Sequence, residues 1–521
     1  MTVDIRAKLR AAVTAHQQGR LDLAYAAYEE ILRLHPRQFD ALHLLGVIAL
    51  QRKEAQKSVA LIRQAIEVNP DHAAAHMNLG SAFRELRQLD QALASYDRAI
   101  ALRPDFADAH SNRGNALREL GRLEHAVASC DRAIGLMPDL AEAHSNRGNA
   151  LRDLGRAEEA LASCDRAVAL MPDLAEAHCN RANALVDLRR MDEALTAYER
   201  AIAMRPDFAN AHLNEGFCRL LMGDFERGLK KYEWRWQLDP RSPARRNFRQ
   251  PLWLGSEPLA GKAVLLHAEQ GLGDTIQFCR YARLVAERGA RVLLEVQSEV
   301  RPLLNDLEGV SGIYTKGESL APFDYHCPLL TLPLAFNTRL ETIPAEVPYL
   351  FSDPEKKARW QARLGDKMSP RIGLVWSGSA RHDDDRNRSL PLARLIQAIP
   401  PQMQLYSLQK VVREADHPLL RSRPDFAHFG DELQDFSDTA AIASQMDLVI
   451  SADTSVAHLA GALGKPVWIL LPFAPDWRWL LNRSDSPWYP TARLFRQPAP
   501  GSWDDVLYNV TTALAGRLAR I

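Results

Sequence analysis

Missing from these 521 residues are the marks of a membrane-spanning or nucleic-acid-binding chain. No stretch approaches the run of about 18 apolar residues that a membrane span needs. The opening MTVDIRAKLRAAVTAHQQGR lacks the apolar core of a signal peptide. Neither sign of charge prevails: Lys+Arg and Asp+Glu are both 65, so no bulk field draws the chain to nucleic acid or an anionic membrane. Cysteine is scarce. Cys130, Cys164, Cys179, Cys218, Cys279 and Cys327 form no CxxC pair, which argues against a zinc knuckle or a redox dithiol. What remains is a globular composition, 46% apolar and 25% charged, with the cytoplasm as the expected location. The length exceeds one ordinary core, so two or three domains are expected.

What the sequence does carry is a period. Pro36, Pro70, Pro104, Pro138, Pro172, Pro206 and Pro240 are each 34 residues apart. With the proline at position 32, seven units run 5–38, 39–72, 73–106, 107–140, 141–174, 175–208 and 209–242. Position 8 is small (Ala12, Gly46, Gly80, Gly114, Gly148, Ala182, Gly216), and so is position 20, which lets the two helices of a hairpin approach closely. Position 24 is often aromatic (Tyr28, Tyr96, Tyr198, Tyr232) and should fill space between hairpins. Cys130 and Cys164 sit one repeat apart at a packing position and read as small core residues. The proline closes the second helix. These features resemble the tetratricopeptide repeat over roughly the first 240 residues, which implies an α-solenoid whose first helices line a concave surface.

Position 6 is Asn78, Asn112, Asn146, Asn180 and Asn214. Asparagine is a mediocre helix former, so propensity does not explain five in register. A carboxamide offers donor and acceptor to an extended peptide backbone without selecting its sequence. The row resembles the asparagine ladder of the O-GlcNAc transferase superhelix, which implies a protein or peptide acceptor held there. The alternative is that these amides bridge neighbouring repeats. The last unit drifts: Arg235 replaces the usual alanine at position 27, and Trp234 and Trp236 suggest a capping helix that docks on the next domain. The Pro-, Arg- and Gly-rich stretch Asp239–Gly261 reads as a linker, so the repeats are assigned to 1–242 and the linker to 243–261.

From Lys262 short apolar runs (AVLLHA, RVLLEV, YHCPLL, RIGLVWS, MQLYSLQ, DLVISAD, PVWILLP) alternate with helical patterns, which argues for parallel sheets. A charged break near FSDPEKKARWQARLGDKMSP divides the region into lobes at 262–365 and 366–521. Ligands of such sheets bind at the strand C-terminal ends. ISADTSVAHLAGALGKPVWILL resembles the nucleotide-sugar motif of the bacterial heptosyltransferases, and that family also places a Gly-Asp pair after its first strand, matched by Gly273-Asp274. The resemblance implies an α/β GT-B fold with two Rossmann-like lobes, the first facing the acceptor and the second the nucleotide sugar. It also implies inverting transfer that needs no metal or cofactor, with an ADP-heptose-like donor. The repeats instead resemble enzymes that use a UDP-sugar.

Several residues are candidates for chemistry. A strand ending near Ala452 and a helix starting at Thr454 or Ser455 would make an anion site. The family motif makes Asp453 and His458 nucleotide-sugar contacts; alternatively they are an N-cap and a satisfied helix histidine. Ser377 and Gly378 form a turn, and Arg386 and Arg388 could meet a diphosphate. HDDD within the same loop is expected to be solvated rather than metal-binding. Gln409 and Lys410 end a further strand.

The stretch GLGDTIQ lacks the third glycine of a dinucleotide fingerprint, and its turn ends in the Asp274 carboxylate, which excludes a cofactor loop. Asp274 then reads as the N-cap of a capping box with Gln277 at N3. The family resemblance instead implies the base that takes a proton from the acceptor hydroxyl. The expected function is glycosyl transfer from a nucleotide sugar to a protein or peptide. The rival is a repeat scaffold with a degenerate transferase domain.

Overall fold

The computed structural model describes residues 5–238, 245–379 and 385–518. The HDDD residues 382–384 and the linker residues 239–244 lie outside that set. The chain divides into two compact units, Met1–Phe208 and Ala209–Ile521.

The first unit is six helical hairpins in register with the 34-residue period. The first helices run Ile5–Gln17, Phe39–Gln51, Ala73–Glu85, Ala107–Glu119, Ala141–Asp153 and Ala175–Asp187. Each is followed by a 14-residue second helix, from Leu21–Leu34 in the first repeat to Met191–Met204 in the sixth. The small position 8 is explained by what it faces within its own hairpin. A Cβ on Gly80 would lie 2.7 Å from the Tyr96 ring; on Gly114 and Gly148 it would lie 2.5 and 2.4 Å from the sulfurs of Cys130 and Cys164. Position 24 therefore packs across its own hairpin, and the two cysteines are core, as their burial requires. Position 15 turns the chain with positive φ in all seven repeats: Gly19, Gly121, Gly155 and Gly223, but also Lys53, Arg87 and Arg189. Histidines at position 4 tie consecutive repeats, because the Nε2 atoms of His76, His110, His144 and His178 lie 2.8–3.2 Å from the carbonyls of Pro70, Pro104, Pro138 and Pro172.

The second unit opens with the seventh hairpin, Ala209–Leu221 and Phe225–Tyr232, whose second helix has only eight residues. An α/β region follows. Its strands are β1 (Ala263–His267), β2 (Arg291–Val296), β3 (Val310–Thr315), β4 (Tyr325–Pro328), β5 (Arg371–Val375), β6 (Gln404–Ser407), β7 (Phe426–His428), β8 (Leu448–Ala452), β9 (Val467–Leu471) and β10 (Ala492–Arg496). They form two wholly parallel sheets, ordered β3-β2-β1-β4 and β10-β9-β8-β5-β6-β7. The central strands β1, β5, β8 and β9 are buried along their whole length, as strands covered on both faces must be. β3, β7 and β10 have no counterpart among the apolar runs. β3 is half-exposed and contains Gly312, β7 is three residues long, and β10 has two arginines among its five residues.

The stretch between β1 and β2 folds as two helices, Leu272–Phe278 and Tyr281–Glu287. Between them the buried Arg280 donates to the carbonyls of Gln277, Pro344 and Trp488 and to the Tyr349 hydroxyl.

Candidate functional site

The glycine-rich turn after β1 meets the first turn of the helix after β8. A Cβ on Gly273 would lie 3.0 Å from the His458 ring and 3.3 Å from the Cα of Ser455, so only glycine lets the two segments come this close. β8 ends at Ala452, and the helix runs Ser455–Ala462 with Thr454 as N-cap. The N-cap is thus Thr454 and not Asp453. Thr454 makes no side-chain cap; its hydroxyl lies 3.2 Å from that of Ser451.

Asp274 stands at the third position of its helix, because the N-cap is Gly271. One carboxylate oxygen accepts the Gly271 N–H at 2.8 Å, and the other accepts from the Arg478 guanidinium. The capping contact is real, but its frame is shifted by three residues from the expected one. Gln277 is left free of it and accepts instead from Arg478 Nε at 2.9 Å.

Arg478 is the residue that the sequence reading missed. It lies in PDWRW, just beyond β9, and joins Asp274, Gln277 and both oxygens of Asp476. Its guanidinium lies over Trp477 at 4.6 Å. A signal was available: polar and aromatic residues clustered on a loop that leaves a strand C-terminus. Burial, followed by the nearby Asp476, pushes the Asp453 carboxyl well above the usual carboxylate range, while Arg388 and Arg478 oppose that rise. His458 is held well below the usual histidine range, by burial first and then by Arg478 and Arg280. Its Nδ1 lies 3.1 Å from the Tyr489 hydroxyl, and its ring is stacked on Trp479.

From the other side Arg388 reaches over Gly378, where a Cβ would meet its guanidinium at 2.5 Å, and donates to the Asp453 carbonyl at 3.1 Å. Arg386, two residues earlier on the short helix Asp385–Arg388, is exposed. Gln409 is occupied: its amide oxygen accepts the N–H groups of Trp376 and Ser377, and its nitrogen donates to the Ser377 hydroxyl and the Val411 carbonyl. Four bonds exhaust an amide, so Gln409 shapes the Ser377–Gly378 turn. Lys410 is tied to the carbonyl of Gln434. Asp274, Asp453, Thr454, Ser455, His458, Gly378 and Arg388 are thereby brought together, with Ser377 and Gln409 behind them.

The asparagines belong to the repeats, where they are half-buried on the first helices. Asn78, Asn146 and Asn180 bridge repeats: Asn78 donates to His43 at 2.9 Å, Asn146 to Ser111 at 3.0 Å and Asn180 to Ser145 at 2.8 Å. Each bond spends one of the two amide donors, so bridging and peptide contact are compatible on one side chain.

Tetratricopeptide-repeat models match residues 9–65, 54–98, 139–207 and 179–243, and a TPR repeat model matches 80–117 and 114–151. The N-terminal part is a tetratricopeptide repeat array. Such an array has the character of a protein-interaction scaffold. Protein FlbA of Caulobacter vibrioides is 26% identical over 321 residues, which cover 57% of this chain and 53% of FlbA. The chain thus spans about half the length of that curated relative. Among solved structures, a thermophilic TPR protein of Thermus thermophilus is 27% identical with a TM-score of 0.32, over 35% of this chain and 99% of that one. The APC/C Cut9–Hcn1 hetero-tetramer gives 15% identity and a TM-score of 0.41, over 44% and 46%. Among the described residues no helix is long and apolar enough to cross a membrane.

Proposed function

We propose that the chain is a GT-B glycosyltransferase that moves a sugar from a nucleotide sugar to a protein or peptide held by the repeat array. The observation that carries this reading is the approach of Gly273 to Ser455 and His458. It joins an acceptor-side carboxylate to a helix start suited to an anion at the C-terminal ends of two parallel sheets. In this reading the uncapped start of the Ser455–Ala462 helix and the Arg388 guanidinium receive the departing nucleoside diphosphate. Asp274 takes the proton of the acceptor hydroxyl, whose oxygen attacks the anomeric carbon. Arg478 must release one Asp274 oxygen for this; its bonds to Asp476 and Gln277 hold the guanidinium in place meanwhile.

The occupied Asp274 carboxylate favours a second reading, a scaffold whose α/β region no longer transfers sugar. A thermal-shift screen with ADP-, UDP- and GDP-sugars separates the two. A rise in unfolding temperature with one donor class supports the transferase, and no shift with any of them supports the scaffold.

A further inference from the structure

The seventh hairpin does more than close the array. Its second helix reaches both loops that carry the Asp274–Arg478 pair. On one side Gln270 Nε2 donates to the Tyr232 hydroxyl at 2.8 Å, four residues before Asp274. Beside it, Arg235 donates to Thr331 at 2.7 Å and faces Glu269 at 3.5 Å, and the Glu269 carboxylate accepts the Leu330 N–H. Glu233 accepts from the same Thr331 hydroxyl. On the other side Phe225 and Tyr232 pack on Trp477, the neighbour of Arg478, with centroids 6.0 and 6.4 Å apart. Trp234, one of the two tryptophans that suggested a docking helix, stacks on His212 within its own hairpin at 3.8 Å.

We infer that Tyr232 and Arg235 are positioning residues: the last repeat sets the geometry of the acceptor-side loop 269–274. The inference rests on the reading of this site as a transferase centre, but its contacts can be tested without that reading. The Tyr232 hydroxyl is the fixed acceptor that orients Gln270, while Gln297 Nε2 holds the Gln270 carbonyl from the β2 side at 2.8 Å. Losing either anchor frees the loop that presents Asp274.

The test is hydrogen exchange on the full chain. Tyr232→Phe keeps the ring against Trp477 and deletes one hydroxyl. Exchange over 269–275 should quicken about five-fold, the effect of one hydrogen bond. Gln270→Met should do the same, and the double variant no more than either, because both delete one bond. Unchanged exchange, or additive effects, would overturn the inference. In a transfer assay Tyr232→Phe should raise the acceptor KM and leave the donor KM alone. A loss of folded protein would move neither, and unchanged acceptor KM in an active enzyme would also overturn it. Faster exchange with no response to any nucleotide sugar supports the positioning of the loop and removes only the transferase reading.

Discussion

At the residue scale two carboxylates lie within one loop and meet different environments. Asp274 is satisfied from two directions, by Gly271 and Arg478. Its replacement by alanine leaves Arg478 bonded to Asp476, so the loop beyond β9 keeps its cation paired. Asp274→Ala should therefore abolish transfer while the thermal shift produced by the donor persists. Full activity in that variant would remove Asp274 as the base. Glu269 is the other carboxylate. Burial pushes it up to about 7 from 4.5, Asp274 adds to the rise, and Arg235 with the Leu330 N–H opposes it. The folded protein thus holds a proton that the unfolded chain releases, and Glu269 makes the protein less stable as pH rises from about 4.5 through about 7. Glu269→Gln carries no such proton. Its stability relative to the wild type should improve between pH 5 and pH 8 by up to ~3 kcal/mol, read from the denaturation of the unit that contains it. An equal difference at both pH values would mean that Glu269 is ionised throughout.

At the scale of the element the 34-residue period legislates most of what the repeats do. Gly121 has φ of 73° and nothing within 4 Å of its missing Cβ, so its role is purely conformational. Gly121→Ala should lower the stability of the array by about 1 kcal/mol, the cost of a left-handed L-residue, measured by denaturant titration. A neutral effect would show that this turn carries an L-residue without strain, as it carries Lys53, Arg87 and Arg189 with positive φ at the equivalent positions.

The same period made the hairpins legible in the sequence, because each position recurs in one environment and seven copies average out exceptions. The parallel strands were legible where burial on both faces made them continuous apolar runs. β3, β7 and β10 were not, since edge position or exposure breaks that pattern. The site was half legible. Gly273, Asp274 and the 453–458 segment stand in short local motifs. Arg478, Glu269 and Tyr232 act through contacts formed between segments far apart in the chain, which no local spacing records. The same holds for Gln409, whose polar side chain at a strand end suggested a ligand contact and whose four bonds turn inward.

At the scale of the whole molecule, the boundary between the compact units falls after Phe208, within the run of repeats and ahead of the linker sequence. The seventh hairpin is a repeat by sequence, yet its second helix shares a core with the α/β region through Phe225, Tyr232 and Trp477. This division predicts where ligand energy is felt. A ligand that binds one folded unit stabilises that unit by mass action, by about 2.7 kcal/mol at a hundredfold excess over Kd. A nucleotide sugar should therefore delay the unfolding of Ala209–Ile521 and leave Met1–Phe208 unmoved. Hydrogen exchange resolved by segment reads this directly in the full chain: protection should rise across β1, β8, β9 and the seventh hairpin, and stay constant across the first six repeats. An acceptor peptide held by the asparagine row should do the reverse, protecting the first helices around Asn78, Asn112, Asn146 and Asn180. Protection by a nucleotide sugar confined to the repeats would contradict the assignment of its site to the ends of β1 and β8.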